Sequence, residues 1–370
     1  MENKNIKTFK NIIFGTFLFL IIFLLTIFYL NLNSSNNLSD NSNVNTNNNT
    51  TDNLNTQLIN YDKINTLEDG TKYIIHPNEI LSGGVPKGGI GEEKGIPALD
   101  ENNINWETPK KANNWIKDNE LIIKLNYNGE TRIYPFQILV FHEIVNDKFG
   151  DKPVLVTYCP LCGTSIAYKR EINLNNKKTE TKFGVSGKLY NSNLIMYDKL
   201  TDTYWQQIEG NAILGELTGD QLTPIDTNTI TWEDFKNSDD YNNENIKVLS
   251  QKTGMNRNYG RDPYGNYYIE DYLLFPPKIQ NKNSKIHPKE IILGIKIGDK
   301  YKGYLEKSIL DNKNKIIEDI FENTTIQITK SENNEITFKN KKTNQTIIKE
   351  RNMFFSWYAF HPGTQIYNIN

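Results

Sequence analysis

Residues 153–169 read PVLVTYCPLCGTSIAYK, and this stretch decides the fold. PVLVTY is short, apolar and β-branched, which predicts a buried strand running into Cys159. TSIAYK predicts a second strand leaving Cys162. Between them, C-P-L-C-G predicts a tight turn with both sulfurs on one side, and Gly163 permits a positive φ there.

The text around this centre is also strand-rich. Residues 121–134 alternate around Asn128-Gly129, a hairpin signal. Further strands are expected at 181–186, 194–197, 203–207 and 212–217, and a short helix opens at 231–235. Phe136, Leu139, Val140, Ile144 and Val145 fall at helical spacing after Pro135, so one short helix is expected to hold His142 and Glu143. From 290 to 350 short alternating runs such as TTIQITK predict a small β subregion. The expected class is α+β, mainly β, for a globular domain over 61–370. Residues 61–100 are turn-rich, and their glycines lack the spacing of a phosphate-binding loop.

The N-terminal part has a different composition. Residues 11–30 carry no charge and would form an apolar helix about 30 Å long, enough to cross a bilayer. Lys4, Lys7 and Lys10 precede it, and no Lys or Arg follows until Lys63. The positive-inside bias then places residues 1–10 in the cytoplasm and the body outside it, anchored to the cell membrane by a single pass. A cleaved signal peptide is the alternative, but the apolar run is long for one and no A-x-A-like site follows. Residues 31–60, rich in Asn, Ser and Thr, lack the apolar groups that would offset the entropy of ordering, and are expected to be a tether. The net charge of −2, with no basic block, argues against a nucleic-acid partner.

The chain has two cysteines and four histidines. One cysteine pair cannot form the multi-bridge framework of small secreted domains, so the thiols are free for chemistry. A C-x-x-C-G turn supplies two soft ligands, whereas a closed zinc site needs four. The candidate metal set is Cys159, Cys162, His142 and His361, compatible with zinc or copper. His76 and His287 each precede proline in loop-like text and suit the role less. Two other readings use the same cysteines: a metal-free thiol–disulfide oxidoreductase with Cys159 as the exposed thiol, and a non-catalytic envelope scaffold with a structural disulfide. In 183–219, Ser186, Asn191, Ser192, Asp198, Gln206 and Gln207 fit either a pocket wall or the ends of strands and turns. No G-x-S-x-G elbow, H-E-x-x-H helix or dinucleotide fingerprint occurs, so hydrolase and dehydrogenase readings find no support.

Several longer segments occur in a recognisable order: LSGGVPKGGI (81–90), IPALD (96–100), YPFQILVFHEIVND (134–147), VTYCPLCGTSIAY (156–168), FGVSGKLYNSNLIMYD (183–198), WQQIEGNAILGEL (205–217) and WYAFHPGTQIY (357–367). In these the chain resembles the domain of unknown function 3179 family of secreted or membrane-anchored prokaryotic proteins. The resemblance implies that the H-E-I-V-N-D segment, the C-P-x-C pair and the terminal aromatic-H-P run belong to one pattern, with His142, Cys159 and Cys162 in one site. It implies no particular reaction.

Overall fold

The computed structural model describes residues 59–89, 95–255, 257–281 and 284–367. The expected cytoplasmic segment 1–10, the membrane helix 11–30 and nearly all of the tether lie outside the described residues. Among the described residues no helix is long and apolar enough to cross a membrane.

The body is mainly β, with short helices, as its α+β pattern predicts. The elements that matter for the site run in chain order: β1 (Leu121–Tyr127), β2 (Glu130–Pro135), α1 (Phe136–His142), β3 (Ile144–Phe149), β4 (Lys152–Cys159), β5 (Thr164–Lys169), β6 (Phe183–Tyr190), β7 (Asn193–Asp198), β8 (Ile291–Ile297), β9 (Lys300–Leu305), β10 (Lys349–Met353) and α2 (Phe354–Phe360). The central eight-stranded sheet has the path Gln365–Tyr367, β9, β8, β10, β5, β4, β3, with Pro224–Ile225 added on β5. A seven-stranded sheet contains β7 and β6, and a five-stranded sheet contains β1 and β2.

The hairpin β1–β2 turns at Asn128 and Gly129, both at positive φ (48° and 76°), the backbone that a two-residue primed turn needs. Strands β4 and β5 pair from Val154↔Lys169 to Cys159↔Thr164, so the C-P-L-C-G turn is the hairpin loop between them. Both faces of this hairpin are covered: every residue from Pro153 to Tyr168 is buried, which is why its sequence is mostly apolar rather than alternating. One apolar cluster joins Ile144, Leu155, Ile166 and both cysteines to Val185, Met196 and Trp205, so the eight- and seven-stranded sheets share a core.

The expected β subregion at 290–350 is divided. Its first two strands, β8 and β9, complete the central sheet, while Ile316–Phe321, Thr324–Lys330 and Ile336–Asn340 form a separate three-stranded sheet. The helix expected to include Glu143 stops one residue earlier. Glu143 adopts φ 57°, ψ −29°, the left-handed cap of α1, and its N–H donates to the Leu139 carbonyl. Ile144 and Val145, which completed the helical spacing, instead begin β3 against Thr157 and Val156. Their β-branched side chains suit the strand better, and pairing with β4 decides the matter.

Candidate functional site

Cys159 ends β4 and Cys162 closes the turn, where the Cys162 N–H lies 3.3 Å from the Cys159 carbonyl. Both are free thiols, and neither is exposed: Cys159 is 2% accessible and Cys162 fully covered. The expected exposed Cys159 is therefore corrected. Its sulfur lies inside the shared core, against the Ser192 carbonyl at 3.7 Å. Gly163, at φ 62°, takes the left-handed conformation expected of it.

The two sulfurs have unlike surroundings. Asn193 Nδ2 donates to Cys162 Sγ at 3.2 Å, and Thr164 Oγ1 stands 3.0 Å from the same sulfur. Asn193 cannot turn its carbonyl that way, because its Oδ1 accepts the Ile208 N–H and its Nδ2 also reaches Gln207 Oε1. Burial alone would raise the Cys162 pKa. Hydrogen bonds with the Cys159 thiol, Thr164 and Asn193 outweigh it and hold Cys162 below the ordinary thiol value. Cys159 is pushed well up, by burial first, then by its hydrogen bond to Cys162 and the charges of Cys162 and Glu143. Of the two, Cys162 is the thiol that ionises more readily.

Glu143 is the third member. Its carboxyl group is buried, and burial, reinforced by the charge of Cys162, raises its pKa to about 8. It is a neutral acid near pH 7 within range of the charge of Cys162, on a non-glycine residue in left-handed conformation, a kind of backbone strain that concentrates at functional sites. Its backbone carbonyl accepts the Tyr158 N–H at 2.8 Å, which fixes it to the end of β4.

The histidines do not join this group. His142 Nδ1 donates to the Pro97 carbonyl at 2.8 Å, so Nε2 accepts from the Tyr259 hydroxyl at 2.6 Å. Both ring nitrogens are engaged away from the sulfurs. Burial chiefly, opposed by the Pro97 bond and aided by the charge of Arg257, lowers its pKa to about 4. His361 is buried and stacked on Tyr301, with ring centroids 3.8 Å apart, and packs against Trp357 at 4.2 Å. Its pKa is well below the usual value, first because of burial. Among the described residues no three His, Cys, Asp or Glu side chains gather where they could hold a metal ion. The expected set of Cys159, Cys162, His142 and His361 is therefore not assembled. The helix that was to aim His142 at the cysteines ends at that residue, and it is the charge of the adjacent Glu143 that is felt at Cys159.

The polar residues of the 183–219 region divide between the two readings. Ser186 and Asp198 serve the backbone: Ser186 Oγ donates to the Ile195 carbonyl, and Asp198 accepts the Leu200 and Thr201 N–H groups. Gln207 braces the site, donating to Thr157 Oγ1 and the Thr164 carbonyl while it holds Asn193. Sequence reasoning missed Glu143, Thr164, Asn193 and Asn352 as site residues. Asn352 accepts the Thr164 hydroxyl at 2.6 Å from β10, far along the chain. For Asn193 a signal existed, since Asn191-Ser192-Asn193 is a turn between two strand patterns.

The fold and site define a mainly β domain built around a buried, polarised C-x-x-C pair. A family model described as a protein of unknown function, DUF3179, matches residues 93–347, and the chain belongs to that family. Comparison with curated proteins and with solved structures gave no match.

Proposed function

We propose that this domain is a thiol–disulfide redox protein with Cys159 and Cys162 as its working pair and Glu143 as proton carrier. One observation carries the reading: Asn193 Nδ2 donates to Cys162 Sγ inside the core, with Thr164 Oγ1 3.0 Å from the same sulfur, and these bonds ease its ionisation while its partner thiol is disfavoured as an anion. A structural cysteine pair needs no such asymmetry. A carboxyl group titrating near pH 8 beside it is suited to exchanging protons with a thiol.

In the reducing direction the Cys162 thiolate attacks one sulfur of a partner disulfide. A mixed disulfide forms, and one thiolate of the partner leaves carrying the proton of neutral Glu143, which is thereby ionised. Cys159 then passes its proton to ionised Glu143 and attacks Cys162 Sγ. The second partner thiolate leaves and the Cys159–Cys162 disulfide closes, so the partner gains the two electrons that the pair gives up. Because both sulfurs are covered, exchange requires the turn to open. Contacts to release include the Tyr267 hydroxyl donating to the Leu161 carbonyl and the Met353 N–H donating to the Cys162 carbonyl, both at 2.8 Å. We place this chemistry outside the cytoplasm, a reading supported by the lysines that precede residues 11–30.

The test is the reduction potential of the full-length protein, read by trapping thiols after equilibration in glutathione buffers. A single two-electron transition between about −270 and −120 mV is expected, the span of redox-active pairs. A transition below about −300 mV, or none without unfolding, refutes the proposal in favour of a structural role.

A further inference from the structure

A cavity of about 390 Å³ lies beside the dithiol turn, where α1 links the five- and eight-stranded sheets. Its apolar walls include Leu121, Phe136, Val140, Tyr158, Ile291 and Met353. The Phe136 and Tyr158 rings lie 4.2 Å apart. The volume and the aromatic, two-sided lining are those of a site for a small organic molecule.

The charged groups of the lining are largely satisfied within the protein. Arg351 makes a two-point ion pair with Glu306, Nε and Nη2 to the two carboxylate oxygens at 2.8 and 2.9 Å. Lys289 donates to the Tyr267 and Glu270 carbonyls and sits 3.7 Å above the Tyr267 ring. Glu120 accepts the Gln137 side-chain amide and the Lys117 N–H. Asp262 accepts the Tyr264 N–H at 2.8 Å.

What the lining still offers is donor capacity. Arg351 Nη1 and one Lys289 hydrogen are unused in these bonds. An anion would meet Glu120 and Asp262, with the charge of Arg351 already cancelled by Glu306. A cation would meet Lys289, whose ammonium group has no carboxylate partner in the lining. Either ion would lose its hydration against apolar walls without a dedicated counter-ion, which is costly. An uncharged molecule with acceptor oxygens meets neither obstacle.

We infer that this cavity binds a small, uncharged ring compound carrying carbonyl oxygens, with the ring between Phe136, Val140 and Ile291 and the oxygens toward Arg351 and Lys289. The site is separate from the thiol chemistry: Gly163 lines it, but neither cysteine does.

The experiment compares three ligands of one ring size on the full-length protein by calorimetry: 2-acetonaphthone, 2-naphthoate and 2-naphthylmethylammonium. The neutral ketone is expected to bind saturably and at least about tenfold more tightly than either ion, a difference readily resolved in a titration. Val140→Trp and Ile291→Trp fill the cavity and are each expected to abolish binding. Ile291 is only half-buried, so this variant remains informative if the first fails to fold. Cys159→Ser is expected to bind the ketone like the parent. No ketone binding to the folded parent, unchanged binding in a folded filled variant, or tighter binding of either ion overturns the inference. Because Cys159→Ser abolishes disulfide formation and leaves the cavity intact, failure of the thiol reading and failure of this one are told apart.

Discussion

Replacing Glu143 by glutamine tests whether a neutral acid stands beside the dithiol. In the folded chain its pKa is about 8, against about 4.3 for an unfolded glutamate. Between these values the folded state holds a proton that the unfolded state has released. This stabilisation is fully present below pH 4.3 and is lost as the pH rises through 8. One proton difference corresponds to about 1.4 kcal/mol per pH unit, so from pH 5 to 7.5 the parent loses about 3 kcal/mol through this group alone. Glutamine has nearly the same shape, cannot ionise and removes that slope. Glu350 is buried with its pKa also well raised and contributes a slope of the same sign, so the informative quantity is the difference between parent and variant. Urea unfolding of both proteins at pH 5, 6, 7 and 8 provides it. The variant's curve should be flatter by about 1.4 kcal/mol per unit and its advantage should grow toward pH 8. Parallel curves would refute the reasoning, for they would mean that Glu143 is ionised or solvated in the folded protein and cannot carry a proton for Cys159.

His142 titrates with the opposite sign: its folded pKa of about 4 lies below the unfolded value, so its stabilisation is present above pH 6.5 and is lost as the pH falls toward 4, by at most about 3 kcal/mol. His142→Gln should flatten the thermal-stability profile between pH 6.5 and 4.5, and an unchanged acid limb would show that the ring is not buried neutral. Gly294→Ala would place a Cβ 2.2 Å from Trp357 Cη2, in a ring with no exposure. A loss of about 1–3 kcal/mol, with a change in tryptophan emission, is expected in chemical denaturation, and wild-type stability would show that the ring can yield.

The sequence made the β4–turn–β5 hairpin legible because both strands are buried on both faces and read as continuous apolar runs. The β1–β2 hairpin was legible through Asn128-Gly129. What could not be read were the partners. Ser165 on β5 pairs with Arg351 on β10, and Asn193 and Asn352 reach the Cys162–Thr164 corner from distant parts of the chain. No local periodicity records such contacts. The His142 reading failed for a local reason. The spacing of Phe136, Leu139, Val140, Ile144 and Val145 fits a helix, yet its last two members belong to β3 once β4 is present to pair with them. The left-handed turn at Glu143, which follows from that switch, exchanges the roles of adjacent residues: the histidine is tied to Pro97 and Tyr259, and the glutamate is the one whose charge couples to the cysteines.

The hydrogen count at Cys162 gives the orphaned amide of Asn352 a physical meaning. Thr164 has one hydroxyl hydrogen and gives it to Asn352 Oδ1, so its bond with Cys162 is made by the S–H donating to Thr164 Oγ1. These bonds belong to the thiol form. A thiolate at the same position needs the Thr164 hydrogen turned toward sulfur, which leaves Thr164 Oγ1 as an acceptor and deprives Asn352 Oδ1 of its donor. Asn352 Nδ2 is buried and has no hydrogen-bond partner. Turning the amide about its terminal bond brings that donor to Thr164 Oγ1, and the threonine can then donate to sulfur. The unpaired N–H of the thiol form is thereby matched by an unpaired carbonyl in the thiolate form. One buried polar atom remains unsatisfied in either state, so the Asn352 side chain exacts similar costs from both. Ionisation of Cys162 then depends on the fixed donor Asn193, the neighbouring Cys159 thiol and the protonation of Glu143. Of these, Glu143 is the group that changes charge near neutral pH: while protonated it permits a thiolate at Cys162, and once ionised it opposes one.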